Sequence, residues 1–207
     1  MKNATKHAED LRSLLKRLVR ECRPEPRQPL DPLHALVRGA MSFDVPDGRA
    51  DDAMAAIGRE FVDLNELRVA TELEVQEMLG TKYPAIERRV SMITQALNAI
   101  FEKEHTLSLD RLKEVSRRDA RQFLRDLPEM RPFVEAYVML MAFDGHACPI
   151  DGQMLDYLSE EEILEENTSP EDAQKFVEHH LKAEEMFPFY ASLRTAAIDG
   201  KGKKRGK

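Results

Sequence analysis

Cysteine is scarce in this chain, with only Cys22 and Cys148 among 207 residues. Two thiols cannot build a disulfide framework, nor a four-cysteine metal or iron–sulfur site. A reduced, cytoplasmic compartment is therefore expected. Long hydrophobic runs are missing too, since nothing approaches the roughly 18 apolar residues that a membrane-spanning helix needs. The start, Met1-Lys2-Asn3-Ala4-Thr5-Lys6-His7, is not followed by an apolar stretch and does not read as a secretory signal. Nine Gly and eleven Pro exclude collagen-like and low-complexity architectures. What the chain does hold is charge: 33% of residues are charged against 42% hydrophobic, and 31 basic against 38 acidic side chains leave a net −7. That is enough apolar material for a core, so disorder of the whole chain is not expected.

The charge is unevenly placed. Residues 1–29 carry eight basic and four acidic side chains, a net of +4. Gly200 to Lys207 add five basic charges and no acid. Between Asp156 and Asp172 lie eight acids and no Lys or Arg. An acidic block flanked by basic ends leaves contact with nucleic acid phosphates open, because basic tails bind them by releasing counterions.

Nearly every segment reads as helix. Leu11, Leu14, Leu15, Leu18 and Val19 recur at helical spacing, and Pro24, Pro26 and Pro29 end that run. A second helix starts at Pro32 and carries Leu33, Leu36, Val37, Ala40 and Met41, with a turn expected over Asp44 to Gly48. Ala53, Ala56, Ile57 and Phe61 mark a third. Thr71 to Glu74 match a capping box, with the helix stopping at Gly80. Ile86, Val90, Ile93, Leu97, Ile100 and Phe101 form the longest amphipathic stripe. Ser108 and Ser116 can each cap a further helix, and Phe133 to Met141 is apolar enough to be central and buried. Ser169-Pro170-Glu171-Asp172 is a helix start, and a last helix is expected from Glu184 to Ile198 around Pro188. No strand alternation or fixed-period repeat is present, so the fold class is all-α, with about ten short helices.

The chain has no phosphate-cradling Gly-Lys-Ser/Thr loop, no dinucleotide glycine fingerprint, no His-Glu-x-x-His helix and no Gly-x-Ser-x-Gly elbow. The six histidines show no metal-ligand spacing, and His146 with Cys148 supplies only two ligands. No metal or cofactor is expected.

The stretch from Ser116 to Leu158 is the informative one. It contains Leu127-Pro128-Glu129-Met130-Arg131-Pro132-Phe133 and, later, Cys148-Pro149-Ile150-Asp151-Gly152-Gln153. This resembles the helix-hairpin-helix DNA glycosylases, the superfamily of endonuclease III, the adenine glycosylases and the alkyl-base glycosylases. In that family a Leu-Pro-Gly-Val/Ile-Gly hairpin joins two helices, and a Val-Asp segment further on supplies the catalytic Asp. Here Leu127-Pro128 stands 23 residues before Ile150-Asp151. The likeness extends over about residues 30–198. Asp31 to Leu36 looks like the opening helix, Met41-Ser42-Phe43-Asp44 sits where the family has Leu-Ser-Ala-Gln, and Tyr83 to Ile93, with Arg88 and Arg89, precedes the long helix.

The resemblance implies two helical lobes with a cleft, one over residues 31–137 with a hairpin-like turn at 127–133. Residues 1–30 and 138–198 make the other, and 199–207 a disordered basic tail. It implies a base-excision-repair type of protein that acts as a monomer on double-stranded DNA. Asp151 takes the catalytic position, stabilising a cationic sugar and orienting water, while the same residue before Gly152 is also a good helix cap. Arg131, Arg125, Arg121, Arg118 and Ser42 are the expected DNA contacts. By register Phe133 stands at the lyase lysine, and a phenyl ring cannot form an imine. An active enzyme would thus be a monofunctional N-glycosylase. Glu129 and Arg131 replace the hairpin glycines and Pro132 removes an amide, which is expected to disturb the phosphate-binding backbone. Residues 110–131 nevertheless carry seven basic and five acidic side chains. Many relatives hold an iron–sulfur cluster in a C-terminal four-cysteine loop, and this chain ends in Gly200-Lys201-Gly202-Lys203-Lys204-Arg205 instead. A catalytically inactive relative that binds DNA or a protein is the alternative.

Overall fold

The structure, a computed structural model, describes residues 4–165 and 167–199, which are mostly helical with no strand among them. In chain order the helices are α1 (Ala4–Cys22), α2 (Pro32–Ser42), α3 (Asp47–Glu60), α4 (Leu64–Val69) and α5 (Glu72–Leu79). There follow α6 (Ile86–Glu104), a 3-10 turn (Asp110–Lys113), α7 (Arg117–Arg125), α8 (Pro132–Ala142), α9 (Gly152–Glu160), α10 (Pro170–His180) and α11 (Ala183–Asp199). Among the described residues no helix is long and apolar enough to cross a membrane.

The described residues divide into two compact units, one of residues 29–143 and one of residues 4–28 with 144–165 and 167–199. α8 is a single helix through Ala142, so it lies whole in the 29–143 unit. The basic stretch Gly200–Lys207 lies outside the described residues, and Asp199, expected to begin that tail, closes α11.

In the 29–143 unit α2 and α8 form the centre. Asp31 caps α2 by accepting the Leu33 and His34 N–H groups, with Pro32 at its first position. Nine of the eleven α2 residues and nine of the eleven α8 residues are buried. Gly39 lets the two helices approach: a Cβ there would lie 3.0 Å from Tyr137 Cδ1 and 3.3 Å from Val134 Cγ1. The α6 stripe, including Val90, Ile93, Leu97 and Ile100, is buried, and α4 and α5 pack onto α6. In the other unit α1 packs on α11 through Leu11, Leu14, Leu15 and Leu18, and α9 and α10 complete the group.

Three sequence expectations need local correction. The turn after α2 ends at Pro46, and Asp47 and Gly48 begin α3, because Pro46 sits one residue before a helix with an acid in its first turn. Asp63, accepting the Glu66 N–H, opens the six-residue α4, a helix too short to show periodicity. The helix expected after Ser108 is only the 3-10 turn Asp110–Lys113.

Candidate nucleic-acid interface

The 29–143 unit holds all the basic residues that the sequence singles out around the turn. α7 opens at Ser116, whose hydroxyl accepts the Asp119 N–H at 3.1 Å. Past its end the Leu127 carbonyl accepts the Met130 N–H at 3.2 Å, with Pro128 and Glu129 between them. Glu129 has φ +53°, the left-handed region that the third position of a type II turn requires and that glycine usually supplies. The turn is thus kept without its glycine, at a backbone cost of about 1–2 kcal/mol. Pro132 then takes the first position of α8, where a missing N–H is no loss.

The turn delivers Arg131 to an aromatic cluster. Its guanidinium carbon lies 4.9 Å from the centroid of the Phe43 ring. Phe43 meets Phe133 edge-on at 5.5 Å, and Phe133 stacks on Tyr137 at 6.2 Å. Phe133 is therefore a packed core ring. Beside Arg131 opens a cavity of about 220 Å³ whose lining includes Phe43, Asp44, Arg88, Arg89 and Met92. Arg88 is exposed, whereas Arg89 is buried and donates to the carbonyls of Ala40, Phe43 and Pro84. Tyr83 donates its hydroxyl to the Met41 carbonyl at 2.8 Å, so the two side chains cap the C-terminus of α2. Burial draws the Arg89 pKa down from its usual value, and the neighbouring Arg131 charge adds to that.

The other expected contacts are differently disposed. Arg121 lies 2.5 Å and Arg125 3.2 Å from the buried Glu135 carboxylate. Burial pushes the Glu135 carboxyl up against the pull of both guanidinium groups. Arg118 is exposed in the first turn of α7 and forms no ion pair among the described residues. Ser42 is buried, and its hydroxyl donates to the Arg38 carbonyl at 2.6 Å, turned back on its own helix. Arg131 and the cavity thus form one basic, ring-bearing group, while Arg121 and Arg125 are drawn onto α8.

Asp151 belongs to the other unit. It caps α9, accepting the Met154 N–H at 3.0 Å, and its second oxygen lies 3.3 Å from Arg194 Nη1 on α11. Asp151 is 0% and Arg194 2% exposed, so this is a buried ion pair. His146 Nε2 lies 2.9 Å from the Leu181 carbonyl oxygen, and Cys148 is buried, its thiol pKa pushed well up by burial. Among the described residues no group of three or more His, Cys, Asp or Glu side chains is placed to hold a metal.

Sequence reasoning named Arg89 without giving it a role, and it missed Arg194 and Glu135. Arg89 left one trace: it falls in phase with Ile86 and Ile93 on the apolar stripe of α6. The partners of Asp151 and Glu135 are set by tertiary packing, which spacing does not report.

Neither a protein-family model nor the sequence of a curated protein matches the chain. Solved structures do. An endonuclease III trapped as a covalent intermediate with DNA superposes with a TM-score of 0.75 at 12% identity, covering 95% of this chain and 89% of that one. The Clostridium acetobutylicum 8-oxoguanine glycosylase/lyase in complex with double-stranded DNA gives 0.74 at 16% identity, with 96% and 71% covered. The H. pylori 3-methyladenine DNA glycosylase bound to 1,N6-ethenoadenine gives 0.71 at 12% identity, with 94% and 98% covered. At such identities the likeness is one of fold.

Proposed function

We propose that this chain, an all-α protein with the fold of the DNA glycosylases related to endonuclease III, binds duplex DNA in a base-excision-repair type of role. The turn at Leu127–Met130 carries the reading. It keeps a left-handed residue at Glu129 despite the loss of glycine, and it leads straight into Arg131 stacked on Phe43. A guanidinium and a ring face beside a basic cavity suit a phosphate and an adjoining base. Arg131, Arg88 and Arg118 are the phosphate contacts in this reading, and Arg121 and Arg125 set the placement of α7 on α8.

Binding without glycosidic hydrolysis is the form best supported. A carboxylate that is to face a developing sugar cation has to present its charge to substrate. Asp151 presents it to Arg194 and to the α9 amide instead. The Phe133 ring offers no amine for a lyase step. A second reading, a monofunctional N-glycosylase, rests on the Asp151 carboxylate standing at the N-terminus of α9, directly after Ile150 as the family pattern has it.

Fluorescence anisotropy with undamaged and damaged duplexes tests the first reading. Affinity should fall steeply between about 50 and 200 mM salt, and Arg131→Ala should shallow the slope by about one unit. Salt-independent retention would reject DNA binding. Alkali treatment of a panel of damaged duplexes separates the two forms: strand nicking that Asp151→Asn abolishes would establish the glycosylase.

A further inference from the structure

The 29–143 unit carries a second surface whose charge is wrong for DNA. Among the described residues four large hydrophobic side chains are exposed, and three fall within one short stretch: Val62 at 93%, Val69 at 64% and Leu73 at 63%. Val69 also lines a groove of about 290 Å³ with Phe61 and Met78, beside Glu60, Glu66 and Glu74. Residues 60–78 hold six acids against one base, Arg68, a net of −5 in a chain of net −7. Arg68 is turned away from that role, its guanidinium 4.1 Å from the Phe101 ring centroid and bonded to Asn65 and Asn98.

The acids are fixed in place by the local fold. Glu66 accepts the Val62 N–H at 2.6 Å, which holds the chain entering α4. Glu74 closes the capping box with Thr71, whose backbone and hydroxyl bonds hold the Glu74 carboxyl below its usual value. The groove therefore offers aliphatic and aromatic surface set between carboxylates. Exposed apolar side chains held between like charges favour a partner of opposite charge over solvent. A nucleic acid is repelled, and a Lys/Arg-rich helix with an apolar stripe satisfies both features.

We propose that the groove formed by the end of α3 with α4 and α5 docks a basic, amphipathic segment of another protein. Two or three aliphatic side chains of that segment cover Val69, Phe61 and Met78, and its Lys or Arg side chains meet Glu60, Glu66 and Glu74. The proposal stands whether or not the chain binds DNA, because none of these residues belongs to the Arg131 cavity.

The test uses the full chain and three labelled peptides: a short amphipathic Lys/Leu helix, its Glu/Leu counterpart, and a Lys/Ser peptide without the apolar stripe. Amide chemical-shift mapping should confine the Lys/Leu response to residues 60–78, with the other two peptides silent. Val69→Ser and Glu60→Lys, both at exposed positions, should each weaken binding about tenfold or more. Helical circular dichroism of the variants should match that of the parent chain. Equal binding of the Lys/Ser peptide, shifts spread over other acidic faces, or unchanged affinity in both variants would overturn the proposal. So would concentration-dependent dimerisation that the same variants abolish, since the occupant would then be a second copy.

Discussion

Glu129 shows how one residue can be held against its own preference. Its φ of +53° is imposed by the Leu127–Met130 turn. Glu129→Gly should therefore stabilise the protein by about 1 kcal/mol, less the extra freedom glycine gains in the unfolded chain. Urea unfolding measures it, and a loss of stability would mean the Glu129 side chain makes a compensating contact. The same substitution removes a negative charge beside Arg131 and should tighten duplex binding. Arg194 is the opposite case, a residue whose absence the core cannot absorb. Arg194→Met leaves the Asp151 carboxylate buried without its cation, at a cost of about 3–5 kcal/mol. Adding Asp151→Asn to it should recover most of that loss. If the single variant costs under about 1 kcal/mol, the pair is not structural, and the case for a silent Asp151 goes with it. The capping role of Asp151 was legible from Gly152-Gln153-Met154 behind it. Its ion pair was not, since 43 residues separate the two side chains.

At the scale of elements, the long periodic helices were readable and the short ones were not. The α6 stripe, the Asp31-Pro32 start of α2 and the Ser169-Pro170 start of α10 each carry several agreeing signals. α4 has six residues and the Ser108 segment only a 3-10 turn, too little length for a period to show. What positions α7 on α8 is Glu135, which the sequence presents as one acid among apolar neighbours. Its carboxyl titrates at a raised value in the folded state because burial outweighs both arginines. The folded chain then holds the proton more tightly than the unfolded one. The resulting stability is fully present below the ordinary value of 4.5 and is lost as pH rises through the raised one. Glu135→Gln removes that titration. The urea midpoint of the parent chain should fall relative to the variant as pH rises above 4.5, and parallel profiles would show Glu135 to be ionised as easily folded as unfolded.

Across the whole molecule the balance of charge decides more than its total. A net of −7 opposes approach to DNA at long range, yet screening confines that repulsion to about 8–10 Å at physiological salt. Short-range binding then depends on where each sign sits. Acids concentrate in residues 60–78 and 156–172, while bases concentrate at the Arg131 cavity, in residues 1–29 and in Gly200–Lys207. The last of these can be tested by deletion. Removing Gly200–Lys207 takes away five basic side chains and moves the net charge from −7 to −12. If the stretch neutralises phosphates, the slope of log K against log salt should shallow by about 0.9 for each phosphate left without its cation, with affinity falling at low salt and converging at high salt. An affinity lowered by the same factor at every salt concentration would mean that the stretch acts by some route other than phosphate neutralisation. An unchanged slope would confine the interface to the residues around the Leu127–Met130 turn, where Arg131→Ala should then account for most of the measurable drop in affinity.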